Sequence, residues 1–171
     1  MSLSPARPLS PWRWIGLPAL VVLGVTVLFM TPIRVFGLQP PEPIFAMVPA
    51  FAWAVIRPSI LAPLALLILG LTMDLLWGNP TGLWPLSLLL AYGLTLSIRN
   101  ILAGQGPGVM WTWFAIACLL AEVSGVLITK VMTGTLPSFL AVFWQLAVTS
   151  LLYPFTDWLI DRFRDADVRF G

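Results

Sequence analysis

The sequence predicts an all-α integral membrane protein, a bundle of six transmembrane helices, and three observations predict it. Charged residues make up 9% and hydrophobic residues 59% of the 171 positions, against about 25% charged in an ordinary soluble domain. The apolar residues fall into runs near membrane-spanning length, separated by short turns rich in Gly, Pro and Asn. When those runs are read as alternating crossings, the nine basic residues sort strongly to one side.

The first span is drawn at Trp14–Ile33. Arg7 and Arg13 precede it as they would a secretory signal, but the run is longer than a signal core and no small-x-small cleavage site follows. It reads as an uncleaved helix. The second, Ile44–Ile56, is the weak one: thirteen residues reach only about 20 Å as a helix, short of a ~30 Å hydrocarbon core. It either extends backward through Pro40-Pro41-Glu42-Pro43 as a full span or forms a re-entrant segment.

The third span, Ser59–Gly78, follows an Arg57-Pro58 turn, and the fourth, Leu83–Ile101, follows Asn79-Pro80-Thr81-Gly82. Val109–Met132 and Ser138–Ile160 complete the set, entered through Gly104–Gly108 and Thr133–Pro137. Residues 1–171 thus form a single six-helix transmembrane domain. With six spans and a cytoplasmic N-terminus, Arg7, Arg13, Arg57, Arg99, Arg162, Arg164 and Arg169 are cytoplasmic, against Arg34 and Lys130 outside. If the second segment fails to cross, the split becomes three inside against six outside. Six crossings with both termini cytoplasmic are therefore expected. Trp12, Trp14, Trp111, Trp113 and Trp158 then lie near one interface and Trp77 and Trp84 near the other, where indoles prefer to sit.

Asp74 is the residue that calls for a functional reading. It lies in Leu66-Leu67-Ile68-Leu69-Gly70-Leu71-Thr72-Met73-Asp74-Leu75-Leu76-Trp77-Gly78, where an ionised carboxylate costs about 2.5–3.5 kcal/mol on insertion scales. Gly70, Asp74 and Gly78 share one helix face, and two glycines permit close approach of another helix. Asp74 either belongs to an internal packing joint, held by N–H groups of the Asn79–Gly82 turn, or contacts something outside the chain. The candidate packing or partner-contact set is Gly70, Asp74, Gly78, Asn79, Pro80 and Gly82.

Other helices carry polar stripes. Ala115, Cys118, Glu122, Gly125 and Thr129 share a face, and Glu122 near mid-span is expected to be protonated or paired across helices. Gln145, Thr149, Tyr153, Asp157 and Asp161 form a ladder on the sixth helix. Pro154 interrupts it, frees the Ser150 carbonyl and predicts a kink there. Ser87, Ala91, Thr95 and Arg99 make a weaker stripe on the fourth.

Catalytic patterns are missing. His is absent and Cys118 is the single cysteine, which leaves no zinc, haem or Cys-His chemistry. Asp74, Glu122 and Asp157 fall at three different depths, so no intramembrane aspartyl pair forms. Asp157-x-x-x-Asp161 lacks the upstream elements of a CDP-alcohol transferase. No nucleophilic serine or phosphate loop is present. The dispersed basic residues make no nucleic-acid patch. No enzyme activity and no cofactor are expected.

The stretch from Arg57-Pro58 through Gly70-Leu71-x-x-Asp74-Leu75-Leu76-x-Gly78-x-Pro80-x-Gly82-Leu83 to Tyr92 and Arg99 resembles the core of the rod shape-determining protein MreD family. Chain length, six spans and short loops are also similar. The resemblance implies a bacterial inner-membrane, multi-pass, non-enzymatic scaffold of the elongation machinery that builds lateral peptidoglycan. It implies association with the bitopic protein MreC and, through it, with MreB, RodA and a penicillin-binding transpeptidase. The implied fold is similar to the substrate-binding components of energy-coupling-factor transporters. That supplies an alternative function, binding of a small vitamin, to which Asp74, Asn79, Trp77 and Trp84 would contribute a pocket. Ala115 and Ala121 are too sparse for the Ala-rich docking face such components use.

Overall fold

The computed structural model describes residues 12–29, 42–56 and 58–168. Arg7, Arg34, Pro40, Pro41, Arg57, Arg169 and the last four residues of the first expected span lie outside them. Every element among the described residues is helical: a π-helical turn Trp12–Gly16 running into α1 (Leu17–Phe29), then α2 (Met47–Ile56), α3 (Leu61–Trp77), α4 (Leu83–Leu102), α5 (Pro107–Thr133), α6 (Phe139–Ser150) and α7 (Tyr153–Val168). Four rods are long and apolar enough to cross a membrane: Trp12–Phe29, Leu83–Leu102, Pro107–Thr133 and Phe139–Arg162. Two apolar helices are shorter, Met47–Ile56 and Leu61–Trp77.

The shortest helix is the centre of the bundle. Met47, Ala50, Phe51, Ala52, Trp53 and Ala54 of α2 are almost wholly buried, packed mainly against α4 and α7. Ten residues make about 15 Å of helix, half of a ~30 Å hydrocarbon core. In front of α2 the chain runs as non-helical backbone from Glu42, with Ile44 and Ala46 fully buried. Backbone of this kind survives in an apolar bundle only when its polar groups are satisfied within the protein. Here α6 supplies the partners. Gln145 Nε2 donates to the Glu42 carbonyl at 3.0 Å, and the Ile44 N–H donates to Thr149 Oγ1 at 3.1 Å.

Two prolines leave carbonyls that tryptophans collect. Pro18 has no N–H to offer the Trp14 carbonyl four residues back, and Trp53 Nε1 donates to that oxygen at 2.9 Å. Pro154 likewise frees the Ser150 carbonyl, which accepts Trp111 Nε1 at 3.0 Å. At Pro154 the effect exceeds the expected kink. The helix drawn as Ser138–Ile160 is two helices, α6 and α7, separated by a turn at Leu151 and Leu152.

α3 and α4 form a tight antiparallel hairpin, and its α4 arm packs against α5. Gly70 is the contact point: a Cβ there would sit 2.4 Å from the backbone nitrogen of Pro85, so only glycine admits this approach. Ser124 Oγ on α5 meets Ser87 Oγ on α4 at 3.0 Å, and Leu83 abuts Gly125. Since α4 begins at Leu83, level with Gly125, while α5 continues to Thr133, the hairpin tip is recessed by roughly 12 Å at 1.5 Å per residue.

Candidate functional site

Asp74 sits at the hairpin joint, 1% exposed. Its Oδ2 accepts the Gly82 N–H at 2.7 Å and its Oδ1 accepts the Trp84 N–H at 3.0 Å. A helix start presents N–H groups with no partner inside the helix, and α4 has Gly82 at its N-cap, with no side chain to cap them. The carboxylate of the preceding helix fills that role. The remaining first-turn groups close the account: the Leu83 N–H donates to the Pro80 carbonyl at 3.2 Å, and Pro85 has none. A carboxylate at a helix N-terminus is also favoured by the helix dipole.

The turn completes the joint. Gly78 ends α3 in the left-handed region at φ +66°, and Gly82 opens α4 at φ +102°, conformations in which a side chain is strained. The Asn79 N–H closes on the Asp74 carbonyl at 3.0 Å. Gly70, Asp74, Gly78, Asn79, Pro80 and Gly82 therefore act as one unit, each with an identified backbone or packing task. Both oxygens of Asp74 are engaged inside the chain.

The recessed tip floors a cavity of about 370 Å³, near the lower end of small-molecule sites at roughly 300–1,000 Å³. Trp77, Asn79 and Trp84 line it from the hairpin, Glu122 and Thr129 from α5, and Gln145 from α6, with Glu42 from the non-helical segment. Trp77 and Trp84 pack edge to face with ring centroids 5.5 Å apart. Of the expected polar residues, Glu122 and Gln145 thus come together at one cavity. Thr149 lies one turn further along α6 holding Ile44, and Tyr153, beyond the α6–α7 break, donates to Asp157 Oδ1 at 3.0 Å. Asp74 lies in the hairpin behind the cavity and does not line it.

Among the described residues, Glu42 Oε2, Glu122 Oε1, Trp77 Nε1 and Trp84 Nε1 on the cavity lining are buried polar atoms with no hydrogen bond of good geometry. Buried polar groups are normally paired. The Glu42 carboxyl and the Trp77 indole lie close together on this lining. Glu42 was not singled out in the sequence. Its signal is a lone acid within Pro40-Pro41-Glu42-Pro43 with no base beside it. Among the described residues no group of three His, Cys, Asp or Glu side chains is placed to hold a metal ion.

Comparison with family models, with curated proteins and with solved structures returns no match for this chain.

Proposed function

We propose that the chain is a non-enzymatic inner-membrane scaffold of the bacterial cell-elongation machinery, and that it holds the single transmembrane helix of a bitopic partner of the MreC type. Through that partner it connects to MreB, RodA and a penicillin-binding transpeptidase. The resemblance around Asp74 motivates the reading, and one feature of the bundle carries it. An apolar groove of about 690 Å³ runs between α1 and the α6–α7 rod, lined by Leu17, Val21 and Phe29 on one side and Leu152, Phe155 and Trp158 on the other. Leu17 to Phe29 is twelve residues of rise, roughly 18 Å, enough to seat three turns of a partner helix. Among the described residues Arg162 is the one charged residue on the lining, and its long stem lets the guanidinium reach an interface. The asymmetry of burial agrees: the two rods bordering the groove are 22% and 17% buried within the chain, against 39% for the α4 and α5 rods.

The test fills the groove. Val21→Trp and Val148→Trp proteins, both altered on the groove lining and purified from membranes, should remain monodisperse and helical yet lose recovery of the bitopic partner, and cells carrying them should round up. Undiminished partner recovery with normal rod shape would remove the groove from the assembly. The polar cavity favours a second reading, a solute-binding component of a transporter. Loss of vitamin uptake on depletion, with cell shape kept, decides for that one.

A further inference from the structure

We infer that α6 is a movable wall shared by the apolar groove and the polar cavity, so that a helix seated in the groove narrows the cavity. The identity of the groove's occupant rests on the scaffold reading; the coupling rests on the residues that divide the two spaces.

The spaces meet back to back along one seam. Neighbouring residues of the non-helical segment separate onto the two linings: Glu42 faces the cavity, and Pro43 and Phe45 face the groove. α6 divides in the same way, with Val142 and Gln145 on the cavity and Val148 on the groove. At about 100° per residue, Val142 and Val148 point about 120° apart, and Gln145 and Thr149 fall in the arc between them. Those two side chains hold the segment, Gln145 at the Glu42 carbonyl and Thr149 at the Ile44 N–H. A single helix and a single strip of backbone, latched by two hydrogen bonds, therefore stand between groove and cavity.

This wall is held lightly along its length and tied at one end. Of the twelve residues of α6 only Thr149 is buried, and among the described helices only α5 packs against it extensively. Non-helical chain leads into it from Gly134 to Ser138, and the turn at Leu151 and Leu152 uncouples it from α7. The Ser150 carbonyl beside that turn is fixed by Trp111, which makes this end the pivot. A segment with few buried contacts moves at low free-energy cost, and a hinge concentrates the motion in a few residues at an element's end. Val148 lies about 3 Å along the axis from Ser150 and Val142 about 12 Å, so a displacement at the groove is enlarged roughly fourfold at the cavity. Because the two valines point more than a right angle apart, α6 pushed away from the groove moves Val142 toward the cavity. Packed interiors shift rather than compress, so volume added at the groove is lost from the cavity.

The test reads the cavity from its far side. Val126 of α5 lines it, so Val126→Cys is introduced into full-length Cys118→Ala protein, which removes the native buried thiol. Modification by methyl methanethiosulfonate in maltoside micelles is followed by intact mass. Adding Val148→Trp or Val21→Trp, which fill the groove from opposite walls, should slow modification at least fivefold. Gln105→Cys, on the α4–α5 turn and on neither lining, should react within twofold of its own rate in every background. Adding the purified bitopic partner to protein with an unaltered groove should slow Val126→Cys in the same way, which serves where a Trp variant fails to fold. Coupling is reciprocal, so Val142→Trp on the cavity side should cut partner recovery at least fivefold. Modification within twofold in the folded groove-filled proteins, or equal slowing at Gln105→Cys, would overturn the shared wall. Slowed modification with partner recovery intact in Val21→Trp keeps the coupling and removes the partner from the groove. Lost recovery with unchanged modification keeps the partner there and removes the coupling, so the two failures are distinguishable.

Discussion

Replacing Asp74 with Asn preserves shape and removes one acceptor from a joint that uses two. Both the Gly82 and Trp84 N–H groups end on this carboxylate, at 2.7 and 3.0 Å, and an amide offers a single oxygen. One backbone N–H then faces an NH₂ group. A hydrogen bond to a charged acceptor contributes about 1.5–3 kcal/mol, and a buried donor left without a partner costs about 1–3 kcal/mol. These describe the same loss from two reference states, so Asp74→Asn is expected to destabilise by about 2–3 kcal/mol. Asp74→Ala abandons both donors and leaves a void, and about 4–5 kcal/mol follows. The check is reversible unfolding in mixed micelles by a denaturing detergent, followed by circular dichroism, with thermal midpoints alongside. For a chain of this size the Asn variant should melt roughly 5–10 °C lower. Asn and Ala variants equal to each other, or an Asn variant within about 0.5 kcal/mol of wild type, would refute the cap. A fully stable Asn variant that failed to recover its partner would make Asp74 a contact residue instead.

Gly70→Ala should separate α3 from α4 and destabilise by about 1–3 kcal/mol or more, whereas Gly93→Ala on α4, with nothing within 4 Å of its Cβ, should be neutral or gain up to about 1 kcal/mol; paired melts decide this. Thr149→Val removes the acceptor of the Ile44 N–H and should cost about 1–3 kcal/mol, with Thr149→Ser close to wild type in the same unfolding assay.

Much of the hairpin was legible because its signals are local. Gly70, Asp74, Gly78 and Gly82 combine helix spacing with turn chemistry, and α3 and α4 begin and end within two residues of the drawn limits. The length of Ile44–Ile56 marked the second segment as unusual, but not why it is tolerated. That depends on Gln145 and Thr149, about a hundred positions away, which no local pattern links to Glu42 and Ile44. Pro154 announced a disturbance in the last helix, yet the depth of the break depends on Trp111 arriving to collect the Ser150 carbonyl. The cavity was hidden for a similar reason. It exists because the hairpin stops short of α5, and relative helix height is set by the Ser87–Ser124 and Leu83–Gly125 contacts, which are matters of packing.

The dependence of residues 42–46 on α6 also orders events during synthesis. Met47–Ile56 is too short to be handed to the bilayer as an independent helix, and the Glu42 carbonyl and Ile44 N–H in front of it have no partners when they leave the ribosome. Its partners are translated 103 and 105 residues later, a wait of roughly 5–20 s at 5–20 residues per second. Until then this stretch must stay in water or in the care of the insertion machinery. The setting of α2 is thus completed last, by the arrival of α6, and a truncation before Gln145 would leave the Glu42 carbonyl and the Ile44 N–H without their partners.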